Sequence, residues 1–343
     1  DFLRFMLRLS AAVRAIDENH ILFIEGNWYA TDFSALESLD LGNMVWAFHK
    51  YWNSTDLGTI GYLLELRDET DKPLWLGESG ENSNDWFYEV TRMVEQQGIG
   101  WNWWTHKKIE TVTSPLSAPF AAGYEDVLAY WRGQAARPSP DVARTALFAM
   151  AENLSEARSD FRPDVVAALF SATFAASALP YADLDVPGII PAVDYDIGAN
   201  GIAYWDTQHK NESGAPGLAN NGGQYRNDGV DIEKTDDLVG NGYNVGWIDA
   251  GEWLRYTVDV AASGSYAVTF RVASPAGGGR FAVYVDGEVR VPSVTVPATG
   301  GWQTWSEVTV GGVALAAGRR EVRIEVAAGG FNLNTMEFTE EGS

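Results

Sequence analysis

The sequence predicts a multidomain protein, a parallel α/β domain of barrel type followed by an all-β sandwich, and three observations carry that expectation. From residue 1 to about 132, amphipathic helical segments alternate with short apolar strands, the rhythm of a parallel sheet wrapped by helices. From about residue 188 to 340 the chain becomes Gly-rich and runs in short alternating stretches, such as Tyr256-Thr257-Val258-Asp259-Val260 and Phe281-Ala282-Val283-Tyr284-Val285, the pattern of strands with one covered face. The length of 343 residues gives each domain enough chain to bury its own core.

Phe2, Leu3, Met6, Leu7, Leu9, Val13 and Ile16 recur at helical spacing, so the chain opens in what reads as mid-helix and its natural N-terminus is expected upstream of Asp1. The run His20-Ile21-Leu22-Phe23-Ile24-Glu25-Gly26 reads as a first strand, and residues 44–48, 73–77 and 98–104 read as three more, with helical segments such as 86–97 between them. No Gly-rich phosphate loop follows any of these strands, which disfavours nucleotide chemistry, and polar residues sit at the C-terminal strand ends, where a barrel keeps its active site. Residues 140–172 read as helical, with Val142, Ala146, Leu147, Met150 and Ala151 on one face. An Ala-rich stretch containing Pro180 and Pro187 then reads as a linker. The expected division is an α/β domain over 1–135, its helical extension over 136–172, a linker over 173–187 and a β-sandwich over 188–340.

A formal net charge of -23 argues against nucleic acid and anionic membrane as partners, because both reward Lys and Arg. A neutral polysaccharide is indifferent to that field. Fourteen Trp and an aromatic content of 13% exceed what the cores need, and flat aromatic rings are the usual surface for apolar sugar faces. The absence of Cys excludes disulfides, thiolate metal sites and Cys nucleophiles. No run is long and apolar enough to read as a membrane span.

The succession His49-Lys50-Tyr51 after one strand, Leu74-Trp75-Leu76-Gly77-Glu78 ending the next, and Gly100-Trp101-Asn102-Trp103-Trp104 ending the one after resembles the last four strands of the family 5 glycoside hydrolases, the cellulase-type (β/α)8 barrels. The resemblance implies a partial TIM barrel over 1–135, with Glu78 as the nucleophile of a retaining mechanism, a task for which a carboxylate is suited because it forms a glycosyl ester. It implies that His49 and Tyr51 face the sugar beside the cleaved bond, Tyr51 orienting the Glu78 carboxylate, and that the Trp104 indole forms a stacking floor. Trp103 and Trp101 are core residues or outer subsites, and Glu25, Trp28, Trp52 and Glu81, also near strand ends, are distal-subsite or structural candidates. The family's proton donor follows an Asn at the end of the fourth strand, and no such Asn-Glu strand end precedes Asp1. The expectation is therefore an enzyme, an endo-β-1,4-glucanase acting on cell-wall glycan, whose chain as given is inactive without an upstream half. The competing readings are a glycan-binding protein without catalysis, and the same enzyme class on xylan, mannan or another β-glycan. Export from the cell follows from the substrate class.

Residues 188–339 resemble family 6 carbohydrate-binding modules through Gly201-Ile202-Ala203-Tyr204-Trp205-Asp206, Tyr225-Arg226-Asn227-Asp228-Gly229-Val230-Asp231-Ile232, Gly246-Trp247-Ile248-Asp249-Ala250-Gly251-Glu252-Trp253 and Gly330-Phe331-Asn332-Leu333-Asn334. The resemblance implies a jelly-roll-like sandwich in which Tyr225 and Trp302 grip a sugar from both sides and Asn332 hydrogen-bonds its hydroxyls. Trp247 and Trp253 read as core, and Trp205 and Trp305 as either. Relatives commonly hold a structural calcium with Glu-Ala-Glu near the start and an acidic residue near the end. Here the first motif is Pro191-Ala192-Val193, followed by Asp194 and Asp196, with Glu337 kept, so the resemblance leaves calcium open.

Overall fold

The computed structural model describes residues 2–342, which fall into two compact units, one of residues 2–82, 86–105 and 211–217 and one of residues 83–85, 106–210 and 218–342. Among these residues no helix is long and apolar enough to cross a membrane.

In the first unit, strands β1 (Leu22–Glu25), β2 (Met44–Lys50), β3 (Leu74–Ser79) and β4 (Gly100–Trp101) lie side by side in chain order, each parallel to its neighbour. Parallel neighbours need long crossovers, and the helices Gly61–Thr70 and Asn84–Gln96 lie in two of them. One face of the sheet carries Ile24, Trp46, Phe48, Leu74 and Leu76, each at most 5% exposed. The other is more open, with Phe23 51% exposed at the β1 edge and its ring edge-on to Trp75. Gly100 is required in β4 because a Cβ there would stand 2.3 Å from the Trp75 ring. The parallel βα pattern of the sequence is present, while among the described residues the strands form an open sheet rather than a closed barrel.

A register shift in this sheet decides the chemistry of its upper end. Phe48 pairs with Leu76 but His49 pairs with Glu78, so Gly77 is an extra residue in β3. Without that slip Glu78 would fall on the face of Leu74 and Leu76; with it, Glu78 comes level with His49.

The second unit begins with a small sheet of β5 (Lys107–Ile109), β6 (Leu116–Ala118) and β7 (Asp160–Phe161) and the helices Tyr124–Trp131, Pro140–Asn153 and Pro163–Phe170. The second helix starts where the sequence predicts: Pro140 occupies the first turn and the Ser139 side chain accepts from the Val142 N–H at 3.3 Å. The rest is a sandwich of two antiparallel-dominated sheets. One runs β10 (Tyr204–Trp205), β13 (Trp253–Val260), β18 (Gly318–Ala328), β15 (Arg280–Val285) and β16 (Glu288–Thr295), with β8 (Asp185–Val186) parallel to β13. The other runs β11 (Ile232–Lys234), β12 (Tyr243–Val245), β19 (Asn332–Glu340), β14 (Gly264–Ala273) and β17 (Trp305–Leu315), with β9 (Gly188–Pro191) on β19. Alternate residues such as Tyr256, Val258, Phe281, Val283, Val268 and Phe270 are fully buried, and Phe270 meets Phe281 edge-on at 4.9 Å, as period-two patterning requires.

Two expected boundaries change. The helices of 136–172, read as an extension of the first domain, cluster with the second unit. The stretch 173–187 is folded rather than a linker: Phe174, Leu184 and Val186 are buried and β8 adds to the sandwich. Its small residues and prolines resemble linker composition, but the few large apolar side chains suffice to dock it.

Candidate functional site

At the C-terminal end of the parallel sheet the first unit has a groove of about 730 Å³ lined by Trp28, Tyr29, His49, Tyr51, Trp52, Glu78, Glu81 and Trp104, among others. Glu78 has two close neighbours there: the Tyr51 hydroxyl donates to Glu78 Oε2 at 3.3 Å, and His49 Nδ1 lies 3.6 Å from the same oxygen. The far side of the imidazole, Nε2, lies 3.5 Å from Glu25 Oε1, so one ring bridges the carboxylates of two strand ends. Burial first, and then the Glu78 charge, pushes the Tyr51 phenol far above its ordinary range, so Tyr51 is a committed hydrogen-bond donor to the carboxylate.

The groove's aromatic walls sit on strained backbone. Trp28, Tyr29, Trp52 and Glu81 have φ of 49°, 57°, 44° and 52°, a region that costs residues with a Cβ and gathers at functional sites. Trp52 is held by its indole N–H, which donates to the Glu81 carbonyl at 2.9 Å, and by the Tyr51 ring at 5.0 Å. Lys50, which sequence reading assigned no role, is the buried anchor of this turn: its Nζ donates to Asn53 Oδ1, the Ser54 carbonyl and Thr59 Oγ1 at 2.6, 2.7 and 2.8 Å. Burial lowers it to about 8, opposed by the charges of Glu212 and Asp56.

Trp104 is 47% exposed on the groove, and Gly80 beside it cannot be replaced freely, since a Cβ there would meet the Trp104 carbonyl at 2.1 Å. Trp103, expected among the substrate-binding residues, is placed elsewhere: it packs on Phe87 at 4.8 Å and Trp101 at 5.7 Å and does not line the groove. Alternation along the strand end explains this, because successive side chains leave on opposite sides.

The second unit has a separate cleft of about 280 Å³, lined by Trp247, Trp302, Asp206, Gln208, Asn221, Asp231 and Glu252, among others. Trp302 is there as expected, 51% exposed, but its companion is Trp247, 49% exposed, which the sequence pattern assigned to the core. Trp247 has φ 47°, so the strand alternation that pointed it inward is broken at that residue. Tyr225 does not line the cleft; its hydroxyl donates to Asp194 Oδ1 at 2.6 Å and its ring packs on Tyr243 at 4.8 Å. Asn332 is buried behind the cleft, its amide donating to the Trp302 carbonyl and to Glu233 Oε1, both at 2.9 Å. It positions Trp302.

Asp206 gives this cleft a pH signature. Burial, then the charge of Glu252, raises it to about 8, with Asp231 and Asp249 adding to the shift while the Gln208 N–H opposes it. A carboxyl raised in the folded state holds a proton that the unfolded chain loses near pH 4, so stability falls as pH rises from about 4 to about 8 and is level above. The expected loss across that window is on the order of a few kcal/mol. Melting curves from pH 4.5 to 8.5 should show the slope, and Asp206→Asn should flatten it; equal slopes in both proteins would refute the assignment.

The residues at the expected calcium position do not assemble a cage. Asp194 accepts from Tyr225, and Asp196 accepts from the Thr257 N–H and hydroxyl at 2.8 and 2.7 Å and lies 3.3 Å from Arg255. Glu337 sits in β19 opposite Ile189 and Thr269, and among the described residues no group of three or more His, Cys, Asp or Glu is placed to hold a metal.

Residues 223–340 match the model of the carbohydrate-binding module of family 6. The C-terminal region is a family 6 carbohydrate-binding module. The chain is also 34% identical over 113 residues to the clotting factor G alpha subunit of Tachypleus tridentatus, covering 32% of this chain and 16% of that protein. It is 32% identical over 93 residues to the beta-agarase AgaA of Microbulbifer thermotolerans, covering 26% of this chain and 22% of that one. It thus spans less than a quarter of either relative. Among solved structures, a module of Cellvibrio mixtus lichenase 5A in complex with cellotriose is 34% identical, covering 46% of this chain and 99% of that one, with a TM-score of 0.33.

Proposed function

We propose that the protein is a retaining β-glycoside hydrolase of family 5 type acting on extracellular cell-wall polysaccharide, an endo-β-1,4-glucanase in the first instance, kept on its substrate by the family 6 module. The observation that carries the enzymatic part is the strand-end carboxylate Glu78, turned by the Gly77 slip to face His49 and held by the Tyr51 hydroxyl in an aromatic groove. A carboxylate with a fixed donor on one oxygen has the other free to attack a sugar C1, and the Trp104 and Trp28 rings offer apolar faces on which the chain can lie.

Incubation of the full chain with 2-deoxy-2-fluoro-β-cellobiosyl fluoride tests this directly. Fluoride leaves without help from a proton donor, while the 2-fluoro substituent slows breakdown of the glycosyl ester, so an adduct on the Glu78 peptide is expected by mass spectrometry. Labelling of a different carboxylate, or none, counts against Glu78. Parallel probes based on xylobiose and mannose rank the competing substrates.

The module's part of the reading rests on Trp247 and Trp302 as two exposed rings in one cleft. Trp247→Ala and Trp302→Ala should each weaken binding by about 1 to 3 kcal/mol, the worth of one buried aromatic face. Tyr225→Phe should leave it unchanged. Affinity electrophoresis in β-glucan and xylan gels reads this, and retardation lost in the Tyr225 variant but kept in both Trp variants would reverse the assignment.

A further inference from the structure

The loop Asn211–Gly217 lies in sequence between β10 and β11 of the sandwich, yet it clusters with the first unit. Inside that unit it is tied at its first residue and at its middle. Asn82 and Asn211 exchange two hydrogen bonds, at 2.8 and 3.0 Å, and the Gly214 N–H donates to the Trp52 carbonyl at 2.7 Å. Between these points Glu212 Oε1 accepts from the Thr55 N–H at 3.3 Å. The loop is also internally built: the buried Asn211 side chain donates to the Ala215 and Gly217 carbonyls at 3.1 and 3.0 Å and accepts from Ser213. Gly214 has φ 79°, which only glycine adopts without strain. Gly214 and Pro216 then line the same groove as Glu78, Tyr51 and Trp52.

We propose that this loop is a substrate-recognition element of the Glu78 groove, extending its wall beside Trp52 so that the groove binds β-linked polysaccharide over several sugar residues rather than the cleaved pair alone. The loop acts in two ways. It fixes Trp52, whose carbonyl it caps and whose backbone is strained, and it adds the Pro216 ring as an apolar surface at the groove's margin. The proposal rests on reading the groove as a glycan site.

The test uses the full chain carrying Trp247→Ala and Trp302→Ala, so that the module's own cleft is silenced, and titrates cellobiose and cellohexaose by calorimetry. Gly214→Pro removes the N–H donated to Trp52 and cannot reach the positive φ. Cellohexaose binding should weaken roughly 10-fold, with cellobiose changed by less than about two-fold. Pro216→Ala trims only an exposed ring and keeps the loop's hydrogen bonds; it should weaken cellohexaose binding about three-fold. Hexasaccharide binding at parental strength in both variants overturns the loop's role while leaving the groove reading intact. Absence of binding at any length in the parent background, with the intact module still binding, overturns the groove reading and the loop with it.

Discussion

Replacing Glu78 by Gln is expected to lower dinitrophenolate release from 2,4-dinitrophenyl β-cellobioside by about 10⁴-fold or more, the scale on which removal of a nucleophile is felt. The activated aryl group leaves without a proton, so the rate reports the nucleophile separately from general acid catalysis. The amide is isosteric, and its oxygen still accepts from the Tyr51 hydroxyl that lies 3.3 Å from Glu78 Oε2; the melting temperature should therefore hold. Tyr51→Phe removes one hydrogen bond from the carboxylate and should cost far less, about 10-fold. Glu78→Ala with added azide supplies a signature that a structural carboxylate would not give: the anion enters the vacated space and attacks from the same face, yielding the glycosyl azide of inverted anomeric configuration. An unchanged rate in Glu78→Gln, or azide giving no such product, would remove Glu78 from the role.

Arg226→Met should produce the largest loss of stability, about 3 to 5 kcal/mol, seen as a fall of roughly 6 to 20 °C in melting temperature. Arg226 is fully buried, 2.7 Å from Asp228 and stacked 3.7 Å from the centre of the Tyr195 ring. It also donates to the carbonyls of Asp196, at 3.0 Å, and Tyr195. Burial alone would drive the guanidinium toward neutrality, but Tyr195, Asp228 and Asp164 hold it charged. Around it Asn84 links the carboxylates of Asp164 and Asp228 at 2.8 and 2.9 Å. Removal of the cation leaves both carboxylates in a dry interior. The double variant Arg226→Met/Asp228→Leu should regain a good part of the loss, because the penalty belongs to the unpaired charge rather than to the missing contact. A melting temperature within about 2 °C of the parent for Arg226→Met would show that the network tolerates an orphan charge.

The network also shows why part of this molecule was hidden in its sequence. Tyr225-Arg226-Asn227-Asp228 reads as a family landmark, and the resemblance implies an exposed sugar-gripping ring at Tyr225. Its partners, Asn84 and Asp164, lie 144 and 64 positions from Asp228. No local pattern announces contacts at that separation.

What the sequence by itself determined is the four parallel strands of the first unit, the alternating character of the sandwich strands, and the strand-end positions of Glu78 and His49, because period-two and helical patterns report local backbone and one covered face. It also determined that the C-terminal region carries the module's landmarks. Tertiary structure alone decided which faces meet. The extra residue Gly77 carries Glu78 to the side of His49, since a one-residue slip inverts every side chain beyond it. A positive φ at Trp247 turns outward a ring that alternation had placed in the core, while Trp103 turns away onto Phe87. The loop Asn211–Gly217 joins the groove of a unit whose other residues lie more than a hundred positions earlier. Each of these depends on a single torsion or on a contact far along the chain, and neither leaves a periodic trace in the order of residues.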